Sequence, residues 1–144
     1  MNKYLKIVFF GFLVWLIPFI ASLFFYTSGG KLIIDIFLFK AIMLVVGSIS
    51  GAVLLVYYFK KVHTDYFKEG IIVGLLWFVV NILLDLVILV PMSGMSIVDY
   101  FTRIGIGYFV IPVMCITVGT ALANGSKEEV SNSPKFDAQQ IKDL

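Results

Sequence analysis

Four long apolar runs, separated by short polar stretches, decide what this chain can fold into. They cover about residues 7–26, 32–59, 71–90 and 97–123. Each approaches or exceeds the roughly 20 residues that a helix needs to cross a bilayer. Hydrocarbon offers the backbone no water to bond, so each run is predicted to form a helix that satisfies its own N–H and C=O groups. We therefore expect an all-α integral membrane protein with four transmembrane helices embedded in the lipid bilayer.

Composition agrees with the membrane class and disfavours several others. The chain has 144 residues, of which 60% are hydrophobic and 14% charged, whereas soluble domains carry about 25% charged residues. The net charge of +2 is spread over the ends of the runs, which is not typical of a nucleic-acid-binding protein. The single cysteine, Cys115, excludes an internal disulfide. The chain has no H-E-x-x-H or P-loop motif, so we expect no metal, no cofactor and no enzymatic activity.

Basic residues near the ends of the runs predict the orientation. If there are four spans, one side carries seven lysines and the other carries only Lys31 and Arg103 near the span ends. Cytoplasmic loops are enriched in Lys and Arg, so we expect both termini in the cytoplasm of a multi-pass cell-membrane protein. The seven lysines are Lys3, Lys6, Lys60, Lys61, Lys68, Lys127 and Lys135.

The lengths of the connections and of the first run complete the predicted organisation. Short loops make sequence neighbours antiparallel, which favours an up-down four-helix bundle. The N-terminal run is similar to a signal peptide, but its roughly 20 residues exceed the usual apolar region of about 7–15, so we expect it to remain as a span. Residues 124–144 are polar and include Pro134. We expect them to form a disordered cytoplasmic tail.

One face of the third span collects its small and polar residues. At about 100° per residue, Gly70, Gly74, Trp77, Asn81 and Asp85 fall within an arc of roughly 80°. Small residues let membrane helices approach closely, and polar groups prefer the bundle interior to lipid. This arc is therefore predicted to face protein.

Other spans carry comparable packing signals. The Gly47-xxx-Gly51 spacing in span 2 repeats the Gly-xxx-Gly spacing of span 3, and both predict close helix packing. Pro18 and Pro112 lie near the middle of spans 1 and 4, where each is expected to kink its helix.

The fourth span has two faces of small residues, and a four-helix monomer uses only one. The second face carries Gly105, Tyr108, Pro112, Cys115 and Gly119. We expect the chain to form a homo-oligomer through this face of helix 4.

Two pairs of charges near the outer surface have the spacing of local ion pairs. Lys31 and Asp35, and Asp99 and Arg103, are each four residues apart. Side chains at this spacing meet on a helix. We therefore predict outer ion pairs at both places.

Lys40 and Asp85 are the charges that most need an explanation. Counting about 1.5 Å per residue puts both at some 8–12 Å below the outer surface, and both lie on predicted inward faces. We therefore predict that they pair, with Asn81 one turn deeper and Arg103 as a rival partner for Asp85. The candidate polar cluster comprises Lys40, Asn81, Asp85, Arg103, Trp77 and Tyr108.

Two hypotheses follow for this cluster. If it is open to water, it is a transporter- or channel-like site for an ion, a proton or a small solute, since ionisable groups inside membranes are often functional. If it is sealed, it fixes the helices of a structural, accessory or signalling subunit. A membrane enzyme is a third class, which the motifs do not support.

Overall fold

A computed structural model describes residues 2–63 and 65–132 of the chain, and its regular structure is helical. Within these described residues, four helices are long and apolar enough to cross a membrane, as predicted. The helices are α1 (Lys3–Leu23), α2 (Ile36–Phe59), α3 (Tyr66–Ser93, with a π-helical turn at Asp85–Leu89), α4 (Ile97–Arg103) and α5 (Val110–Asn132, after a 3₁₀ turn at Gly105–Phe109).

Side-chain caps determine where two of these helices begin. The Asp35 carboxylate accepts hydrogen bonds from the N–H groups of Phe37 and Leu38, so α2 starts four residues later than the apolar run predicts. The Ser96 hydroxyl accepts a bond from Asp99 N–H, and α4 begins at the next residue, as the sequence predicts. Such caps satisfy N–H groups that have no partner within the helix.

Helices α3 and α5 both extend past the C-terminal ends of the predicted apolar runs. Residues 91–93, which follow the third apolar run, extend α3 until Gly94 adopts a positive φ of 65° and ends it. In the π turn, Val90 N–H donates a hydrogen bond to Asp85 O. The chain therefore stays helical up to Pro91, whose nitrogen has no hydrogen to donate. Helix α5 continues to Asn132 through good helix formers such as Lys127 and Glu128, so the predicted tail begins as helix. The remainder of that tail, residues 133–144, lies outside the described residues.

The two predicted kink prolines differ in position. Pro18 lies inside α1, which remains α-helical to its end. Pro112 lies in the first turn of α5, where a missing N–H costs little. The break in the fourth span is the 3₁₀ turn before Pro112, so the mid-helix position predicted for this proline is wrong.

Helix α1 lies between α2 and α3, and α3 packs on both α1 and α5. Helices α1 and α3 run in the same direction, because Ile7 meets Trp77 and, one turn further along both helices, Gly11 meets Asn81. Helix α2 packs mainly on α1 and touches α5 more lightly. Helices α2 and α3 are thus not principal neighbours, although a short connection joins them.

Glycines permit the close crossing of α3 and α5. A Cβ atom added at Gly70 would lie 2.6 Å from the carbonyl oxygen of Cys115, and one added at Gly74 would lie 3.0 Å from Pro112 Cα. Gly119 faces Gly70 from the other side, with its added Cβ 3.2 Å from Gly70 Cα. The helix backbones therefore touch here, which any larger side chain would prevent.

The face of the fourth span that we predicted to mediate self-association is used within the chain. Gly105, Cys115 and Gly119 are buried, and the last two pack against α3. The sequence analysis assigned this face to a homo-oligomer because it did not anticipate how closely α3 and α5 approach. Cys115 and Gly119 are therefore occupied by contacts within the chain, and a homo-oligomer through Gly105, Pro112, Cys115 and Gly119 stays a prediction.

Gly70→Ala is expected to destabilise the protein by about 1–3 kcal/mol, because the new methyl group meets backbone that cannot rotate away. Gly47→Ala is the matched control, since its nearest neighbour, Pro18 Cγ, lies 4.0 Å from the added Cβ. Unfolding free energies of both variants in the same detergent test this. Equal losses in the two variants would contradict the assigned crossing.

Candidate functional site

The site is built around Asp85, whose carboxylate lies inside the helix bundle. Asp85 begins the π-helical turn of α3, and the residue is only 2% exposed. A carboxylate placed in hydrocarbon costs about 2.5–3.5 kcal/mol even on lenient insertion scales. The interactions around Asp85 must offset this cost.

Three side chains from three other segments donate hydrogen bonds to Asp85. From α1, Trp15 Nε1 donates to Oδ1 at 2.6 Å. From α4, the Tyr100 hydroxyl donates to Oδ2 at 2.9 Å, and from the 3₁₀ turn the Tyr108 hydroxyl donates to the same oxygen at 2.6 Å. One carboxylate thus joins α1, α3 and the start of the fourth span. We name Asp85, Trp15, Tyr100 and Tyr108 the carboxylate clamp.

All three donors are neutral groups. An indole N–H can only donate, and a phenol donates readily to a carboxylate. A tyrosine hydroxyl is protonated near neutral pH, so Tyr100 can donate to Asp85 Oδ2. Hydrogen bonds to a charged acceptor contribute about 1.5–3 kcal/mol each. Three of them account for a buried carboxylate that has no cationic partner among residues 2–63 and 65–132.

The predicted pair of Lys40 and Asp85 is wrong. Among residues 2–63 and 65–132, the ion pairs are Lys3–Glu69 and Asp99–Arg103. The two predicted partners do lie on helices joined by a short loop, but α1 stands between α2 and α3. Agreement in depth was therefore not enough to bring the charges together.

Of the two predicted outer ion pairs, Asp99–Arg103 is present and Lys31–Asp35 is not. Arg103 Nε lies 3.9 Å from Asp99 Oδ1, on a largely exposed part of α4, so Arg103 is not a partner of Asp85. The predicted pair of Lys31 and Asp35 is absent, because the Asp35 carboxylate caps α2 instead.

Asn81 and Trp77 fasten α3 to the backbone of α1. Trp77 Nε1 donates to Ile7 O at 2.9 Å, and Asn81 Nδ2 donates to Gly11 O at 3.2 Å. These bonds and the Trp15–Asp85 bond each join residues 70 positions apart. Polar contacts thus recur at every turn along the parallel interface of α1 and α3.

The fit of the Trp77 ring explains why Gly11 faces it. A Cβ atom added at Gly11 would lie 2.9 Å from Trp77 Cδ1. The missing side chain on α1 therefore leaves room for the indole on α3, which is completely buried.

A second buried carboxylate, Glu69, lies near the beginning of α3. Lys3 Nζ from α1 lies 2.6 Å from Glu69 Oε2, and the Tyr58 hydroxyl from α2 donates to Glu69 Oε1. Glu69 is 5% exposed. Glu69 lies before the apolar run that begins at residue 71, so the hydropathy pattern gives no indication that it is buried.

Trp15 and Tyr100 were also missed as partners of Asp85. Trp15 shares an inward face of span 1 with Gly11, which indicated burial without indicating a partner. Tyr100 lies at the start of the fourth span, where tyrosines commonly anchor at the membrane surface. The π turn that aims Asp85 towards both has no signal in the apolar pattern.

Two grooves on the described surface do not include Asp85. One, of about 590 Å³, is apolar and lies between α3 and the α4–3₁₀ segment, lined by residues such as Ile82 and Phe101. The other, of about 360 Å³, lies along α2 near Tyr57. In the described part of the chain, no group of three or more His, Cys, Asp or Glu side chains could hold a metal ion.

No protein-family model, no curated protein and no solved structure matches this chain. The site is therefore interpreted from its own geometry.

We expect Lys40→Met and Asp85→Asn to act independently on stability. The two residues share no ion pair and lie on helices that are not principal neighbours, and distant changes add within about 0.5 kcal/mol. A double-mutant cycle of unfolding free energies in detergent measures this. A coupling well above that margin would show that the two charges interact after all.

Proposed function

We propose that this chain is a structural, accessory or signalling subunit of the cell membrane, in which the carboxylate clamp holds the helices together. The observation that carries this proposal is the closure of the site. Asp85 is 2% exposed, and both of its oxygens accept bonds from side chains of the same chain. Because the carboxylate is buried and each oxygen is already bonded, the site gives a solute no access to Asp85 in this conformation.

We also propose an up-down antiparallel bundle with both termini in the cytoplasm. Lysines concentrate at one end of the helices: at the start of α1, in the α2–α3 connection and late in α5. Lys31 and Arg103 lie between the other ends. This distribution supports the positive-inside orientation, and the exposed apolar side chains of α2, such as Phe37 and Val53, suit contact with lipid.

The clamp hypothesis predicts that Asp85→Asn lowers the unfolding free energy by about 1.5–3 kcal/mol, because the amide accepts fewer of the three bonds and replaces a charged acceptor. Glu128→Gln, the same chemical change at an exposed position of α5, is the matched control and is expected to be silent. Denaturation in detergent or bicelles checks both. Equal stability of Asp85→Asn and the unmodified protein would refute the clamp.

A transporter- or channel-like role is the second candidate, and one observation favours it. Asp85 begins a π-helical turn, and such turns occur frequently at functional sites. If this turn rearranges, the carboxylate could meet water and bind a proton or a cation.

Proton and ion flux into proteoliposomes separates the two proposals. The structural role predicts that flux stays at the level of empty liposomes under proton, sodium and potassium gradients. Flux that disappears in Asp85→Asn but persists in Glu128→Gln would favour transport and count against a purely structural subunit.

A further inference from the structure

The carboxylate clamp has three donors, one acceptor group and no cation. The groups that face Asp85 are the indole of Trp15 from α1, the phenol of Tyr100 from α4 and the phenol of Tyr108 from the 3₁₀ turn. On the same helix as Asp85, the neighbouring Asn81 donates its hydrogen bonds to backbone carbonyls instead. The ion pairs within residues 2–63 and 65–132 involve other carboxylates. Asp85 and the two phenols are therefore the titratable groups of the clamp.

We propose that Asp85 is a proton-binding site whose occupancy controls how firmly residues 97–109 attach to the bundle. This inference rests on the proposed clamp and adds its regulation. The ligand is one proton from water, which binds a carboxylate oxygen and turns a negatively charged cluster into a neutral one. No other covalent bond changes.

The hydrogen-bond inventory determines which oxygen takes the proton. Oδ1 accepts from Trp15, and because an indole cannot accept, a proton on Oδ1 would point at a donor. Oδ2 faces two phenols, whose oxygens are able to accept. The proton therefore binds Oδ2 and donates to the oxygen of one tyrosine. That tyrosine can no longer donate to Asp85.

The tyrosine that gives up its bond belongs to a segment with few other attachments. Tyr100 is the buried residue of α4, with 0% exposure, whereas Ile97 and Val98 are 60% and 72% exposed. Helix α4 has only seven residues, and a helix this short is marginal without outside contacts. Weakening its bond to Asp85 therefore loosens α4 first.

The π turn makes it easier for the helix to open locally when Asp85 takes a proton. Its main-chain bond from Val90 N–H to Asp85 O joins residues five apart, next to Pro91. This arrangement leaves the helix locally irregular at the residue that takes the proton. Local opening at such places requires less free energy than global unfolding.

Hydrogen–deuterium exchange of the full chain in lipid nanodiscs tests the proposal between about pH 4 and pH 8. Rates are divided by those of unstructured peptides at each pH, which removes the chemical effect of acid. We expect protection of residues 97–109 to fall by about 10-fold or more on the acid side, the loss of one bond to a charged acceptor. A peptide spanning the α3 glycines Gly70 and Gly74 serves as the internal control and should stay protected.

Asp85→Asn supplies the decisive comparison, since it cannot take the proton. Protection of residues 97–109 should be low and independent of pH in this variant. Acid-dependent protection that persists in Asp85→Asn, or that is missing from the unmodified protein, overturns the proposal.

A double variant, Tyr100→Phe with Tyr108→Phe, keeps the test valid if Asp85→Asn does not fold. Without either phenol there is no bond left to release, so acid should have no effect on residues 97–109. An acid response in this variant would contradict the proposed route.

If Asp85→Asn is destabilised at neutral pH while exchange in the unmodified protein does not depend on pH, the clamp stands and only its regulation fails.

Discussion

A carboxylate inside a membrane helix must find partners, and the arrangement of this protein depends on how Asp85 finds them. Its partners are Trp15, Tyr100 and Tyr108, which arrive from before and after α3 in the chain. Each donor is neutral, so the cluster offsets the cost of burial through hydrogen bonds instead of an ion pair. This requirement brings α1 and the beginning of the fourth span to the same level of α3.

The parallel interface of α1 and α3 extends this arrangement over several helical turns. Trp77 and Asn81 bond to main-chain oxygens of α1, and Glu69 meets Lys3 near the other end of the interface. Because lipid is as apolar as the helix surfaces, no hydrophobic force drives membrane helices together, and hydrogen bonds between them contribute to their association. The tight glycine crossing of α3 and α5 then adds close contact on the opposite side of α3. Helix α3 is thus the central element to which the others attach.

Much of this fold could be predicted from the sequence, because hydropathy over 20-residue windows reflects the thickness of a bilayer. Angular projection also identified the inward face of α3, where Trp77, Asn81 and Asp85 are all buried. It could not identify their partners, because a projection describes one helix and not its neighbours. Lys40 was predicted as a partner from its depth and its inward-facing arc, but α2 packs mainly on α1 and not on α3. The π turn and the start of α3 at Tyr66, ahead of the apolar run, depend on local backbone conformation that an apolar pattern does not record.

The central claim is that the Trp15–Asp85 hydrogen bond holds α1 to α3. A double-mutant cycle with Trp15→Phe and Asp85→Asn, read as unfolding free energy in bicelles, tests it most directly. We expect a coupling of about 1.5–3 kcal/mol, and little coupling between Trp77→Phe and Asp85→Asn, since Trp77 bonds to Ile7 O instead. Additive losses for Trp15→Phe and Asp85→Asn would contradict the account.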